Sequence, residues 1–336
     1  MLESSLHNLG HVGMKKESLL VVENLTVEYE TAGRRFAAVA GINFEIQKGE
    51  TLGLVGESGC GKSSTGRAII QLPRPSSGTV QFEGIYLAQL TGQQLRKVRQ
   101  RIQMIFQDPI SSLNPRRRVR DIVAEPLAIA GIKDKSEREH RVRTALEAVG
   151  VDPDISMDRR PHQFSGGQCQ RICLARTLVM EPSLVVCDEP ASALDVSVQA
   201  QILNLLEDMK QKYGLTMLFI SHDLSVVKNI SDRVAVMYLG KICEIAPSER
   251  LYEAPAHPYT SALLASIPCN QGGAHCYTDL MLLGEVPSPM NPPSGCRFRT
   301  RCSRAEAKCA ERVPKFTEIG PGHLVSCNFP LMVDSN

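Results

Sequence analysis

A chain of 336 residues has room for one large domain and an appended segment, and 43% apolar content lets it bury a sizeable core. A net charge of +2 argues against a partner held by bulk electrostatics, nucleic acid included. No run approaches the ~18 consecutive apolar residues of a membrane-spanning helix, so none is expected.

Residues 1–18 are polar and lack the apolar segment of a signal peptide, so they read as a loose tail and the protein as cytoplasmic. Leu19 to Tyr29 and Ile42 to Ile46 alternate apolar and polar residues, as half-buried strands do. Thr51 to Val55 is a short apolar run, the pattern of a buried strand. It feeds Gly56-Glu57-Ser58-Gly59-Cys60-Gly61-Lys62-Ser63, which fits the P-loop pattern G-x-x-x-x-G-K-[ST]. A helix is expected from Ser63 to Ile70. In such a loop, glycines let the backbone approach phosphate oxygens, and successive N–H groups form an anion nest. The helix opening at Ser63 and Ser64 adds its positive end. Lys62 is expected at the β and γ phosphates and Ser63 on Mg²⁺. The nucleotide base needs a stacking surface in a chain with 5% aromatics and no tryptophan; Tyr29 and Phe36 are the candidates.

From about Pro109 the charge rises and strands vanish, which predicts an inserted helical subdomain over about 109–172. Within it Val142, Leu146 and Val149 have helical spacing, and Arg116-Arg117-Arg118 reads as a solvated face. Ser165-Gly166-Gly167-Gln168 opens a predicted helix to Leu178; a serine and two glycines at a helix start form a second phosphate-binding N-terminus. Leu184 to Val186 is a strand run that ends at Asp188 and Glu189. Asp188 should emerge at the sheet's carboxyl edge and hold Mg²⁺ through its water shell. Glu189 points elsewhere and is the candidate to polarise an attacking water. Val198 to Tyr213 has helical spacing, Thr216 to Ile220 is a strand, and His222 follows it. Alternating strands and helices imply an α/β core.

After about Leu251 the texture changes to a loop-rich module with proline clusters. Of the 11 cysteines, Cys173 and Cys187 lie in apolar runs and read as structural, and disulfides are not expected in a reducing compartment. Cys296, Cys302, Cys309 and Cys327 are spaced C-x5-C-x6-C-x17-C in a segment with few apolar residues. A metal staple would help it fold. Four thiolates select zinc or an iron–sulfur cluster; the spacing alone leaves both open, and free thiols besides. Cys269 and Cys276 fall outside the pattern.

The order of P-loop, SGGQ box and Asp-Glu strand resembles the ATP-binding-cassette family. That resemblance implies a P-loop α/β nucleotide-binding domain over residues 19–250 and an extension over 251–336. It implies a head-to-tail dimer in which the Ser165–Gln168 box closes on the partner's ATP. Gln107, in Phe106-Gln107-Asp108-Pro109, matches the Q-loop, which the family places on Mg²⁺ and the attacking water. Ser192-Ala193-Leu194-Asp195 matches the D-loop at the dimer interface, and His222 the switch histidine at the γ phosphate. Phe164 stands where the family usually has leucine. His257-Pro258-Tyr259-Thr260 and Asn291 to Phe298 are similar to the C-terminal extension of oligopeptide and dipeptide importer ATPases, and Phe164 to Arg171 and Val226 to Arg233 to their F-type subunit. Members of that group carry a [4Fe–4S] cluster at the four cysteines. The resemblance further implies a second, D-type ATPase subunit, two transmembrane permease subunits and, indirectly, an external peptide-binding protein. It places the chain at the cytoplasmic face of the inner membrane. Nickel, glutathione or glycosides are alternative cargoes, and a soluble cassette ATPase outside transport is a further reading.

Overall fold

The computed structural model describes residues 17–31, 33–192, 194–266 and 284–331. Cys269 and Cys276 lie outside them. Two sheets carry the fold. β1 (Ser18–Thr31), β2 (Arg34–Gln47), β4 (Ser77–Phe82) and β5 (Ile85–Tyr86) form an antiparallel sheet in the order β2-β1-β4-β5. The larger sheet has eight strands. Its parallel centre runs β9-β3-β8-β7-β6, from β3 (Thr51–Val55), β6 (Ile102–Ile105), β7 (Leu184–Asp188), β8 (Thr216–Ile220) and β9 (Arg233–Tyr238). Every residue of β3, β7 and β8 is buried. Burial on both faces explains why these strands read as unbroken apolar runs rather than alternating ones.

The two faces are still distinct. Val185, Cys187, Met217 and Phe219 point to the core shared with the helical subdomain. Leu184, Val186, Leu218 and Ile220 point to the core under the antiparallel sheet. On that second side lies α1 (Lys62–Ile69), and α2 (Gly92–Arg101) leads into β6. The helical subdomain comprises α3 (Pro109–Ser112), α4 (Val119–Ile129), α5 (Lys135–Ala148) and α6 (Pro153–Ser156), with α7 (Gly166–Leu178) packed on α3, α4 and α5. Asp134 caps α5 by accepting from the N–H groups of Ser136 and Glu137. Arg117 and Arg118 are exposed and pair with Glu125 and Asp158, in keeping with a solvated face.

α8 (Val196–Tyr213) links β7 to β8, and α9 (Leu224–Ile230) links β8 to β9. Beyond β10 (Lys241–Pro247) come α10 (Ser248–Glu253), α11 (Pro258–Ala265), α12 (Ala307–Glu311), β11 (Thr317–Gly320) and β12 (His323–Val325). This C-terminal segment is not a detached, loop-only piece. β12 pairs antiparallel with β10, so the hairpin β11–β12 extends the main sheet. Tyr259 and Phe298 are buried in the main core. Glu244 on β10 knots the join: its buried carboxylate accepts from the N–H groups of Ala256 and His257 at 2.7 and 2.9 Å and meets His323 Nε2 at 2.6 Å. Burial lowers the His257 pKa to about 4, so the ring is neutral, and its Nδ1 accepts from Tyr259 N–H at 3.0 Å to cap α11. Among the described residues, no helix is long and apolar enough to cross a membrane.

Candidate active site

Four neighbouring parallel strands release their loops at one edge of the sheet. β3 runs into Gly56–Ser63, β6 into Gln107, β7 into Asp188 and Glu189, and β8 into His222. Ligands of such sheets bind outside the carboxyl ends of the strands, so the topology alone gathers residues scattered over about half the chain.

The P-loop is moulded against its neighbours. Gly61 has φ +108, and a Cβ there would stand 2.3 Å from Ala38 O, so a side chain would break the contact of loop and strand β2. Lys62 is 5% exposed and donates to Gly56 O at 2.7 Å and Glu57 O at 3.1 Å. These are flexible ammonium contacts that phosphate oxygens can replace. Cys60 is buried beneath the loop, which pushes its thiol pKa up, while Ser58 and Gly59 are exposed above it. Ser63 Oγ donates to Asp188 Oδ1 at 2.7 Å. Burial pushes the Asp188 carboxyl up, with the Ser63 bond working against it. A hydroxyl and a buried carboxylate meeting at the helix start are the hard oxygen pair that suits Mg²⁺.

Glu189 is held from two sides. Gln107 Nε2 donates to its Oε2 at 2.8 Å, and His222 Nδ1 lies 3.2 Å from its Oε1. Its own backbone sits at φ +49, a left-handed conformation uncommon for glutamate, fixed by Glu189 N–H donating to Ile220 O at 3.0 Å. Such strain is held only where surroundings over-determine it, and it is concentrated at functional sites. The adjacent carboxylates have different partners, Ser63 for Asp188 and Gln107 and His222 for Glu189.

Tyr29 and Phe36 are cross-strand partners on β1 and β2, with ring centroids 6.1 Å apart. Tyr29 also donates to Ser64 Oγ at 3.3 Å. The two aromatic candidates thus form one surface beside the loop rather than rival positions.

Ser165 caps α7: its Oγ accepts from Gln168 N–H at 3.3 Å, and Gln168 Oε1 accepts from Ser165 N–H at 3.0 Å. Both residues are exposed. Gly166 and Gly167 face Leu194 and Val198; a Cβ on Gly167 would come within 2.6 Å of Val198 Cγ1. Asp195 caps α8, accepting from Ser197 Oγ at 2.6 Å and Val198 N–H at 2.9 Å, and these bonds lower its pKa. Leu194 and Asp195 thus lie beside the SGGQ box, and Ser165, Gln168 and Asp195 are exposed there.

Residues 39–192 match the family described as ABC transporter, and residues 243–309 the one described as the oligopeptide/dipeptide transporter C-terminal region. The oligopeptide transport ATP-binding protein AppF of Bacillus subtilis is 51% identical over 293 residues, 87% of this chain and 89% of AppF. The oligopeptide transport ATP-binding protein OppF of Haemophilus influenzae is 46% identical over 327 residues, 94% of this chain and 98% of OppF. The chain belongs to the oligopeptide/dipeptide ABC transporter ATP-binding family. The solved dimer of the ATP-binding cassette MJ0796, bound to ADP and Pi, matches this ABC ATPase with a TM-score of 0.62 and 28% identity, over 68% of this chain and 98% of that one.

The extension of this ABC ATPase gathers four of its cysteines around one small cavity. Cys296, Cys302, Cys309 and Cys327 line it together with Phe298 and Phe329. Burial pushes the thiols of Cys296, Cys302 and Cys327 up, Cys327 to about 11; the other three cysteines add to that rise, and the Phe329 N–H opposes it. Among the described residues, no three His, Cys, Asp or Glu side chains converge as a single metal ion requires. The metal staple expected from the spacing, zinc or iron–sulfur, therefore has no converged ligand group among the described residues: the four thiols share a cavity.

Sequence reading missed what touches the P-loop from the extension. Arg301 reaches Glu57, 244 residues earlier. Tyr259 stands inside a quoted motif, yet nothing in its spacing points to the loop.

Proposed function

We propose that this chain is the ATP-hydrolysing subunit of an importer of di- and oligopeptides. The observation that carries the reading is the meeting of Lys62, Ser63, Gln107, Asp188, Glu189 and His222 at one sheet edge, in a chain whose other end matches the oligopeptide/dipeptide extension. Residues 19–250 serve as the nucleotide-binding domain and 251–336 as the importer-type extension. Gly56 to Ser64 cradle the phosphates, and Tyr29 and Phe36 face the adenine. Ser63 and Asp188, with Gln107, hold Mg²⁺, which neutralises phosphate charge when bound. Glu189 accepts a proton from the attacking water, oriented by Gln107 and His222. Ser165 to Gln168 and Asp195 act across the dimer, a reading supported by the exposure of Ser165, Gln168 and Asp195 and by the dimeric MJ0796 cassette. A D-type sister ATPase completes the pair beneath two permease subunits at the cytoplasmic face of the inner membrane, with a peptide-binding protein outside. The names of AppF and OppF favour peptides over nickel, glutathione or glycosides as cargo.

Uptake of labelled peptides tests the reading. A strain lacking this chain should lose uptake, regain it with the wild-type chain and not with Glu189→Gln. Loss of nickel or glutathione uptake instead would reassign the cargo.

Head-to-tail pairing has its own test. Ser165→Arg should stop hydrolysis at the P-loop of the other subunit, because bulk and charge block the contact in trans. Mixing this variant with a P-loop variant locates the defect; a defect at the same chain's P-loop would refute the arrangement.

We propose that Cys296, Cys302, Cys309 and Cys327, which line one cavity, hold a [4Fe–4S] cluster rather than zinc. Each thiolate of such a cluster binds its own iron, so four sulfurs around a cavity suffice, whereas one ion draws them to a point. N–H groups of Phe298, Arg304 and Phe329 work against the larger rise that burial imposes on these thiols. Its role would be structural. Protein purified without oxygen should be brown and contain about four irons and four sulfides per chain. Serine at any of the four should increase proteolysis of residues 290–330 more than it lowers ATPase activity. Colourless protein with a protease-resistant extension would refute the cluster.

A further inference from the structure

Glu57, the second residue of the P-loop, is clamped from the far end of the chain. Its carboxylate accepts two bonds from Arg301, Nη1 to Oε2 at 2.7 Å and Nη2 to Oε1 at 3.1 Å. This is the bidentate fork that fixes a carboxylate in both position and plane. Arg301 is 7% exposed, and its guanidinium lies over the Tyr238 ring, 5.8 Å from the centroid. The Glu57 N–H donates to the Tyr259 hydroxyl at 3.0 Å. Tyr259 is itself fully buried, edge-on to Tyr238 with centroids 4.7 Å apart and 5.2 Å from Phe298. One loop residue is therefore gripped at both backbone and side chain, and both grips come from the C-terminal extension.

A carboxylate on a phosphate-binding loop needs an explanation. Unpaired, it would repel a triphosphate across a partly dry site, where charges interact more strongly than in water. Arg301 cancels that charge. The Glu57 carbonyl also accepts from Lys62 Nζ at 3.1 Å, so a displaced Glu57 would carry the phosphate-binding lysine with it.

We propose that Arg301 and Tyr259 are positioning residues of the nucleotide site: they neutralise and fix Glu57, so that the C-terminal extension sets the affinity of the P-loop for nucleotide. This rests on reading the P-loop as the nucleotide site. The test is the Kd of the full-length chain for a non-hydrolysable ATP analogue, with thermal unfolding followed in parallel. Arg301→Met should weaken binding about tenfold, by leaving Glu57 charged and unpaired. Arg301→Met with Glu57→Gln should return to within about threefold of wild type, because the repelling charge is gone. Both variants lack the ion pair, so both should melt at similarly lowered temperatures. A merely structural clamp would leave the double variant as weak as the single one. That result, or wild-type affinity in Arg301→Met, would overturn the proposal. Should Arg301→Met not fold, Tyr259→Phe carries the test. It keeps the packed ring and removes the acceptor, so about threefold weaker binding is expected, and wild-type affinity would overturn the proposal. Lys62→Ala in the same assay separates the two readings. Undiminished binding there would sink the P-loop assignment itself, whereas its loss beside unchanged Arg301 and Tyr259 variants would sink only the clamp.

Discussion

Glu189→Gln should bind ATP and hydrolyse it about 10²-fold or more slowly, the range expected when a general base is removed. The substitution is nearly isosteric, so the left-handed turn at φ +49 and the neighbouring Gln107 and His222 side chains can stay in place. What is lost is the carboxylate that takes the water's proton. ATP would then be held without turnover, and the closed pair should accumulate. Steady-state ATPase assays give the rate, and size-exclusion chromatography with ATP gives the dimer, or a heterodimer when the sister subunit is added. Turnover at the wild-type rate would remove Glu189 from the role.

Lys62→Ala should cost most of the affinity for ATP. A hydrogen bond to a charged group contributes roughly 1.5–3 kcal/mol, so about 10- to 10²-fold is expected from the lost ammonium alone. The substitution also strips the bonds from Nζ to Gly56 O and Glu57 O that shape the loop before nucleotide arrives. Isothermal titration with ATP measures the effect, with thermal unfolding as a control for the fold. Unchanged affinity would reject the P-loop assignment.

The active edge was legible because its strands are buried on both faces and run straight into their chemistry. Leu184 to Asp188 has no polar residue before its terminal carboxylate, and Thr51 to Val55 none after its first threonine. α5 and α8 were legible through helical spacing, their buried residues Val142 and Leu146, and Ile202, Leu205, Leu206 and Met209, each lying on one face. Other features had no local sign. β6 is four residues long and follows α2 without a break, so its start is masked by a helix end. The pairing of β10 with β12 joins Glu244 to Val325 across a stretch rich in proline. The salt bridge of Glu57 and Arg301 depends on tertiary placement of two residues whose surroundings in sequence say nothing of each other. The spacing of the four cysteines marked them as a group, but that they line one cavity with Phe298 and Phe329 had no sign in it.

The strand added by the extension has a consequence for solubility. β10 carries buried residues from Ile242 to Ala246, and on its outer side β12 takes up hydrogen bonds at Glu244 and Ile245 while Ser326 N–H donates to Cys243 O at 2.7 Å. Without that cover, an apolar strand would present unpaired backbone groups at the sheet's rim, a template for another chain. With it, the rim passes to β11, a strand of four residues that exposes the Glu318 carboxylate and offers a shorter template. The extension thus ends the sheet, and a cassette trimmed at residue 250 would be left with an aggregation-prone edge.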